Sequence, residues 1–380
     1  MTTVSLTDVS GYLPGEPVPA EFYTEYPGAE DKLRQSPMFR VPPFRHHVAP
    51  GETNVDLIER ATQPLIERHG AAEIGAVDVL LVHSQLPDIP FIGAGTEVAR
   101  RLGLKPRWLL DVANAGCASF VHMLQLARQL LTGTDARTAL ICNAQTTAGQ
   151  LFTQSEVRGL AQAAIPGDGC GVAYLTTSAA APVLDVVARH LGDHAGEMTA
   201  VLDDGRRYWE PGTSQLRIGF TESGVADVLA RGNRLVPDVV TELCERLGVG
   251  TGEIDLLVTN QPNRTFLTNW REALGLPPQR HADTFDRCGN LFGAGIPVTL
   301  DHAVRTGRVR NGDLVVLGGF AHAGDYAGAA AIRWNAGGTA APSTPPRLGP
   351  PPSPAPPQAH PPRTREVLPE VITGHDDETA

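Results

Sequence analysis

Apolar residues follow two kinds of pattern between residues 3 and 334. Short unbroken apolar runs, which are typical of buried strands, alternate with segments whose apolar positions recur at helical spacing. The predicted strands are AVDVLLVHS (76–84), RWLLDVA (107–113), RTALICNAQ (137–145), GDGCGVAYLTTS (167–178), EIDLLVTNQ (253–261), GDLVVLGGF (312–320) and YAGAAAIRW (326–334). The predicted helices span 93–104, 117–131, 236–249, 263–276 and 296–307. This alternation predicts an α/β protein whose helices cover its sheets.

Two distant segments share one pattern. Residues 71–88 (AAEIGAVDVLLVHSQLPD) and 249–263 (VGTGEIDLLVTNQPN) each place an Asp before an apolar run that ends in polar residues. Such an echo indicates an internal duplication. We therefore predict two related halves, 1–180 and 181–334, whose matching strand ends surround a shared cleft.

The composition changes sharply near residue 335. Twelve of the 32 prolines lie between Pro342 and Pro369. A segment so poor in apolar residues does not bury enough surface to offset the entropy lost on ordering. We predict that residues 335–380 form an extended, proline-rich disordered tail, which is either dispensable or a tether to a partner protein.

Composition and charge exclude several classes of function. The 380 residues are 42% hydrophobic and carry a net charge of −11 without a Lys/Arg block, which argues against nucleic acid as the main partner. No apolar run reaches the roughly 18 residues of a membrane span, and the N-terminus lacks the pattern of a signal peptide. The five cysteines are odd in number and show no CxxC spacing. We expect a soluble cytoplasmic enzyme with reduced thiols and with neither a metal nor a redox cofactor.

One cysteine lies where a predicted strand changes into a predicted helix. Cys117 follows the small residues Asn114, Ala115 and Gly116, and helical spacing begins directly after it. The N–H groups and the positive dipole end of a helix N-terminus stabilise a thiolate and an acyl oxyanion. Cys117 is therefore a candidate nucleophile, although a cysteine with a purely structural role fits the same local pattern.

Six segments between residues 3 and 334 carry a resemblance to a known family. They are GYLPGEPV (11–18), LLDVANAGCASFVHML (109–124), PGDGCGVAYL (166–175), EIDLLVTNQPNRTFLTNWREALGL (253–276), DRCGNLFGAGIPVTL (286–300) and GGFAHAGDYAGAAAIRW (318–334). With these segments the chain resembles the β-ketoacyl-acyl-carrier-protein synthase III group of the thiolase superfamily. The resemblance implies a thiolase-like, five-layered αβαβα fold built from two duplicated halves.

The resemblance also implies a chemistry. In that family a cysteine takes an acyl group from coenzyme A or a carrier protein, and a His and an Asn then help decarboxylate a malonyl thioester. Cys117 matches the nucleophile and Asn290 matches the Asn, but Asn260 stands where the His is expected. An Asn donates a hydrogen bond to a thioester oxygen but does not take up a proton near neutral pH. An Asn260–Asn290 pair can polarise a carbonyl, yet the change argues against ordinary fatty-acid initiation.

A second departure lies in the closing hairpin, FAHAGDY. The resemblance implies a glycine at position 322, and an oxyanion hole made by the amides of Cys117 and of a hairpin residue, here Ala323. Our hypothesis is that His322 replaces the missing His as general base and that Asp325 orients it. The alternative is that His322 points into the core or an interface.

Three further residues are predicted to bind substrate. Arg45 lies in a segment that resembles the family's loop near the coenzyme entrance, and it is a candidate for binding a coenzyme phosphate. His83 ends a predicted strand and either lines the cleft or makes a structural hydrogen bond. The family is usually a homodimer, so partner loops near Phe91 or in 146–160 are expected to close the acyl pocket. The polar stretch 196–224 is predicted to be irregular and to shape the acceptor side.

The leading interpretation is an acyltransferase of specialised natural-product metabolism, of the polyketide or antibiotic kind. It moves an acyl group from acyl-CoA or an acyl carrier protein, through a Cys117 thioester, to an oxygen, nitrogen or carrier-thiol acceptor. Two alternatives stay open. One is a decarboxylative condensing enzyme of the synthase III type, and the other is a low-activity partner subunit of a heterodimeric synthase.

Overall fold

The computed structural model describes residues 2–24, 39–89, 91–202, 204–207, 209–213, 216–220 and 222–335. The predicted tail lies outside these residues except for Asn335. The strands are β1 Ser5–Tyr12, β2 Val18–Pro19, β3 Phe44–Arg45, β4 Val79–Ser84, β5 Trp108–Asp111, β6 Thr138–Gln145, β7 Gly169–Thr176, β8 Val183–His190, β9 Met198–Leu202, β10 Leu216–Phe220, β11 Leu256–Thr259, β12 His281–Ala282, β13 Leu314–Ala321 and β14 Tyr326–Arg333. The α-helices are α1 Glu21–Thr24, α2 Asn54–His69, α3 Ala71–Gly75, α4 Gly95–Leu102, α5 Ser119–Gly133, α6 Ser155–Arg158, α7 Glu222–Leu247, α8 Arg264–Ala273, α9 Phe285–Cys288 and α10 Gly295–Arg305.

Two five-stranded sheets repeat one strand order. The first sheet has the order β1-β7-β6-β4-β5, and the second, taken from its first strand, has the order β8-β14-β13-β11-β12. In both sheets the first two pairings are antiparallel and the last two are parallel. The structure therefore confirms the internal duplication. The similar segments 71–88 and 249–263 contain the equivalent strands β4 and β11, and position 180 lies in the link between β7 and β8.

Helices fill the space between the two sheets and cover their outer faces. Phe120 and Leu124 of α5, with Ile296 and Leu300 of α10, are fully buried between the sheets. Helices α2 and α4 cover the outer face of the first sheet, and α7 and α8 cover that of the second. Each fully buried apolar side chain contributes about 1.5–3 kcal/mol, so these contacts hold the five layers together. The predicted αβαβα architecture is confirmed.

Two local expectations were wrong. The helix predicted over 236–249 begins at Glu222 and contains Pro237 in its interior, where the missing N–H makes proline unfavourable. The stretch 196–224 was expected to be irregular, but β9 and β10 pair there as an antiparallel hairpin. None of the helices in the described ranges is both long enough and apolar enough to cross a bilayer.

Candidate active site

Cys117 lies in a 3₁₀ turn, Gly116–Ala118, that leads directly into α5. The chain enters this turn in the left-handed region, with φ of 66° at Ala115 and 33° at Gly116. Non-glycine residues seldom occupy that region, and such strain is concentrated at functional sites. Because the first N–H groups of a helical turn have no partner within it, the Cys117 amide is available beside the Cys117 thiol.

The protonation of Cys117 is set by its surroundings. Removal from water raises the pKa of the Cys117 thiol to about 12, and the nearby Asp325 carboxylate adds to the rise. With that pKa, about one thiol in 10⁵ is ionised at pH 7. The thiolate is the reactive form of cysteine. Acylation of Cys117 at neutral pH therefore needs a base that takes the proton as the sulfur attacks.

We expect iodoacetamide to alkylate Cys117 slowly at pH 7 and steadily faster up to pH 10. At pH values below the pKa, the fraction of the thiol that is ionised rises about tenfold for each pH unit. With a raised pKa the alkylation rate therefore rises over this whole range without reaching a plateau. The measurement is the modification rate of the peptide that contains Cys117, followed by mass spectrometry, with Cys117→Ala as the blank. A plateau below pH 8 would contradict the raised pKa, because it would mean that the sulfur is already ionised.

His322 lies in the hairpin turn between β13 and β14, with φ of 48°. Its Nδ1 is 3.1 Å from each carboxylate oxygen of Asp325. A carboxylate only accepts hydrogen bonds, so Nδ1 carries the proton and Nε2 keeps its lone pair. A methyl group added to Gly116 would lie 2.7 Å from Nε2. The basic nitrogen of His322 therefore faces the backbone next to Cys117.

Two glycines, one from β13 and one from the segment after Asn290, pack against the turn that contains Cys117. A methyl group on Gly319 of β13 would lie 3.2 Å from Cβ of Ala118, and one on Gly293 would lie 3.0 Å from the carbonyl oxygen of Gly116. Between the described residues Cys117 and His322 the structure has no hydrogen bond. Catalytic hydrogen bonds are often long before substrate binds and shorten in the complex, so the juxtaposition is compatible with proton transfer.

The hairpin that carries His322 is held from outside. The carbonyl oxygen of Ala323 accepts a 2.8 Å hydrogen bond from Nε of Arg231, and the Arg231 guanidinium also pairs with Glu197. Leu191 N donates to the carbonyl oxygen of Asp325. In the described chain the amide of Ala323 donates to no acceptor. That amide is therefore free for the oxyanion hole proposed from the sequence.

The two candidate asparagines differ in what they offer a substrate. Asn290 is 8% exposed, and its Oδ1 accepts a 2.9 Å hydrogen bond from Phe292 N. This bond orients the side chain and leaves its NH₂ group without a partner among the described residues. Asn260 is fully buried, its Nδ2 donates to Phe320 O, and its Oδ1 accepts from Phe320 N. Asn260 therefore ties the end of β11 to β13, and one of its two amide hydrogens is used within the protein.

The three predicted substrate-binding residues lie in different surroundings. Arg45 is fully buried, and its terminal nitrogens donate to the carbonyl oxygens of Ala164 and Pro42. This burial contradicts the expected contact with a coenzyme phosphate. His83 is 4% exposed, and its Nδ1 is bonded to Val112 O. Phe91 is 90% exposed, so within one chain it lines no pocket.

Sequence analysis missed two groups of polar residues around this site. Asp168, in the Gly-Asp-Gly turn, is fully buried, and its carboxylate accepts from the amides of Val48, Ala148 and Gly149. Asn143 and Gln145 are buried in β6. For Asn143 and Gln145 the available signal was their position as polar residues at the end of an otherwise apolar run.

Comparison with known proteins assigns the family. Residues 110–193 match the family described as 3-oxoacyl-[acyl-carrier-protein (ACP)] synthase III, and residues 244–334 match its C-terminal counterpart. The β-ketoacyl-[acyl-carrier-protein] synthase III of Xanthomonas campestris pv. campestris is 30% identical over 284 residues, which are 73% of this chain and 82% of that protein. The chain belongs to the synthase III family.

Other synthase III proteins show the same relationship. That of Rhodospirillum centenum is 30% identical over 296 residues, covering 76% of this chain and 87% of the relative. The crystal structure of the Thermus thermophilus synthase III matches with a TM-score of 0.74 at 28% identity, over 87% of this chain and 98% of that one. As a synthase III family member, this chain is an enzyme of the acyl-transferring and condensing kind.

Proposed function

We propose that this synthase III family member transfers an acyl group through a Cys117 thioester without decarboxylation. The donor is an acyl-CoA or an acyl carrier protein, and the acceptor is an oxygen, a nitrogen or a carrier thiol. The observation that carries the proposal is the orientation of His322. Its Nδ1 is bonded to Asp325 and its Nε2 faces the backbone beside Cys117, which supplies a base on the side of the nucleophile.

The first half-reaction loads Cys117. Nε2 of His322 takes the thiol proton while the sulfur attacks the carbonyl carbon of the donor thioester. The amides of Cys117 and Ala323 hold the oxyanion of the tetrahedral intermediate. The donor C–S bond then breaks, and His322 returns the proton to the leaving thiolate, so that a free thiol is released and acyl-Cys117 remains.

The second half-reaction reverses these roles. An acceptor O–H, N–H or S–H gives its proton to His322 and attacks the acyl carbon on Cys117. The tetrahedral intermediate collapses, the Cys117 C–S bond breaks, and the sulfur recovers the proton. Asp325 stays bonded to Nδ1 throughout and stabilises the transient imidazolium. No carboxylate is lost and no redox partner is required.

Asn260 argues against decarboxylative condensation as the main activity. An enolate made from a malonyl thioester needs donors at its oxygen. The Asn260 amide gives one of its two hydrogens to Phe320 O, whereas the NH₂ group of Asn290 has no partner among the described residues. A chain that has departed from the family pattern at positions 260 and 322 fits a specialised pathway better than fatty-acid initiation.

We also propose that the chain forms a homodimer through the loop after β4. Phe91 is 90% and Ile92 is 71% exposed, and large apolar side chains at adjacent exposed positions are typical of contact surfaces. Sedimentation velocity of the wild type against Phe91→Ser checks this, and a wild-type monomer would contradict it.

The experiment that tests the proposed function is intact-protein mass spectrometry after mixing with acyl-CoA and acyl-carrier thioesters, including malonyl. Cys117→Ala serves as the blank. We expect an adduct that requires Cys117 and that retains the carboxylate when malonyl is the donor. Carbon dioxide release with a lengthened product would replace the proposal by a condensing enzyme. The absence of any adduct on wild-type protein would favour the partner subunit.

A further inference from the structure

Unpaired polar atoms are concentrated at one place beside the Cys117 turn. Ten buried side-chain nitrogen or oxygen atoms have no hydrogen-bond partner in the described part of the chain, and six of them lie at or just beyond the carboxyl ends of β4 and β6. These six atoms belong to His83, Gln85, Asn143, Gln145 and Thr147. Buried polar groups in proteins are nearly always paired. Six unpaired atoms in one location therefore offer a set of hydrogen-bonding groups to a polar substrate.

The cluster borders the nucleophile. His83 and Asn143 are neighbours in the register of β4 and β6. They continue the inner face of the sheet, because Leu81 and Ile141, two positions earlier, pack between the sheets. Nδ2 of Asn143 donates a 2.8 Å hydrogen bond to Oγ of Ser119, two residues after Cys117.

A second set of contacts places the cluster near the Cys117 turn and near His322. A methyl group on Gly293 would lie 3.0 Å from Nδ2 of Asn143 and 3.0 Å from the carbonyl oxygen of Gly116. His83 lies near enough to His322 that the protonated His322 imidazole lowers the pKa of His83. The residues that carry the unpaired atoms therefore lie next to the turn that contains Cys117.

The unpaired atoms are mainly acceptors. Nδ1 of His83 is 2.7 Å from the carbonyl oxygen of Val112, so it carries the proton and Nε2 is an acceptor. Burial lowers the pKa of His83 to about 4, which keeps the ring neutral. Oδ1 of Asn143 and Oε1 of Gln85 are acceptors as well. Gln145 and Thr147 can both donate and accept. A hydrocarbon chain would leave all of these atoms unpaired. A carboxylate only accepts hydrogen bonds, so its oxygens would repel the acceptor atoms of the cluster.

We infer that the acyl group carried by Cys117 bears a hydroxyl, which donates to this cluster of His83, Gln85, Asn143, Gln145 and Thr147. The inference rests on the proposed acylation of Cys117 and specifies its substrate class as short hydroxyacyl thioesters. A site built to bond a substrate hydroxyl discriminates strongly against the analogue that lacks it, because its polar atoms are then buried unpaired.

The test compares donors that differ only in the hydroxyl. Wild-type protein is mixed with butyryl-CoA, with the 2-, 3- and 4-hydroxybutyryl-CoA isomers, and with malonyl-CoA, and the rate of Cys117 adduct formation is followed by intact mass. We expect at least one hydroxybutyryl isomer to load about tenfold or more faster than butyryl, and malonyl to load more slowly than that isomer. Equal rates for butyryl and all hydroxybutyryl isomers would overturn the inference.

Amino-acid substitutions test whether the cluster residues determine the preference for a hydroxyl. Gln145→Met and Thr147→Val keep side-chain size and remove polar atoms, so we expect the hydroxybutyryl-to-butyryl ratio to fall toward one. Circular dichroism shows whether each variant is folded. Thr132→Val, at an exposed position of α5, is the matched control and should keep the wild-type ratio. An unchanged ratio in both cluster variants would contradict the inference.

Binding gives a readout that needs no acylation. Calorimetric titration of Cys117→Ala with the same thioesters should show the same hydroxyl preference. Preferential binding without any adduct on wild-type protein would support the hydroxyl site and refute the proposed transfer. An adduct that forms without any hydroxyl preference would support the proposed transfer and refute the hydroxyl site.

Discussion

His322→Asn is expected to slow acylation of Cys117 by about 10²–10⁴-fold, the usual contribution of a positioned general base. The thiol pKa of about 12 leaves almost no thiolate at neutral pH, and His322 is the base that faces the turn. Asparagine tolerates the left-handed φ of 48° at this position better than most residues. The substitution therefore removes the base without forcing the hairpin into a new conformation. Rates of adduct formation at pH 7 measure the effect.

His302→Asn is the matched control for this prediction. His302 lies on α10, where its ring is bonded to Arg287, so its loss should leave the loading rate unchanged. The His322→Asn rate should also recover as pH rises, because hydroxide then generates the thiolate directly. If His322→Asn loads at the wild-type rate at pH 7, His322 is not the base.

Asp168→Ala is expected to lower the free energy of unfolding by at least about 3 kcal/mol. The Asp168 carboxylate accepts from the amides of Val48, Ala148 and Gly149 in the protein interior. Each buried donor left without an acceptor costs about 1–3 kcal/mol. Urea unfolding followed by circular dichroism measures the change, and Asp193→Ala, at an exposed position, should shift stability by less than about 0.5 kcal/mol. An equal shift for both variants would mean that these bonds contribute little.

The parts of the fold that could be predicted were those with strong local patterns. The apolar runs of β4 and β11 each follow an Asp, and this repeat was enough to detect the duplication. Cys117 could be recognised because small residues precede a helical pattern. The hairpin within 196–224 was missed because its two strands, MTAVL and LRIGF, are short and are separated by a polar segment. Pro237 obscured the start of α7.

The site could be predicted less completely, because a sequence shows which side chains are polar but not which groups they bond to. Asn260 was predicted as a donor, and the sequence did not show that β13 takes up its oxygen and one of its two amide hydrogens. Arg45 was a reasonable phosphate ligand until its burial against main-chain carbonyls was known. Asn143 and Gln145 looked like ordinary strand residues, and only the long-range pairing of β4 with β6 brings them together with His83. His322 was found because it departs from an expected glycine.

The repeated strand order makes β11 and the residue after it the counterpart of β4. Asp78 accepts from Thr138 N at the start of β6, and Asp255 accepts from Leu314 N at the start of β13, which aligns the two halves. Five residues further on, His83 is the counterpart of Asn260. Under this internal symmetry, the imidazole missing from the second half is present at the related position of the first. The matching strand thus leads to an imidazole in the first half and to an amide in the second.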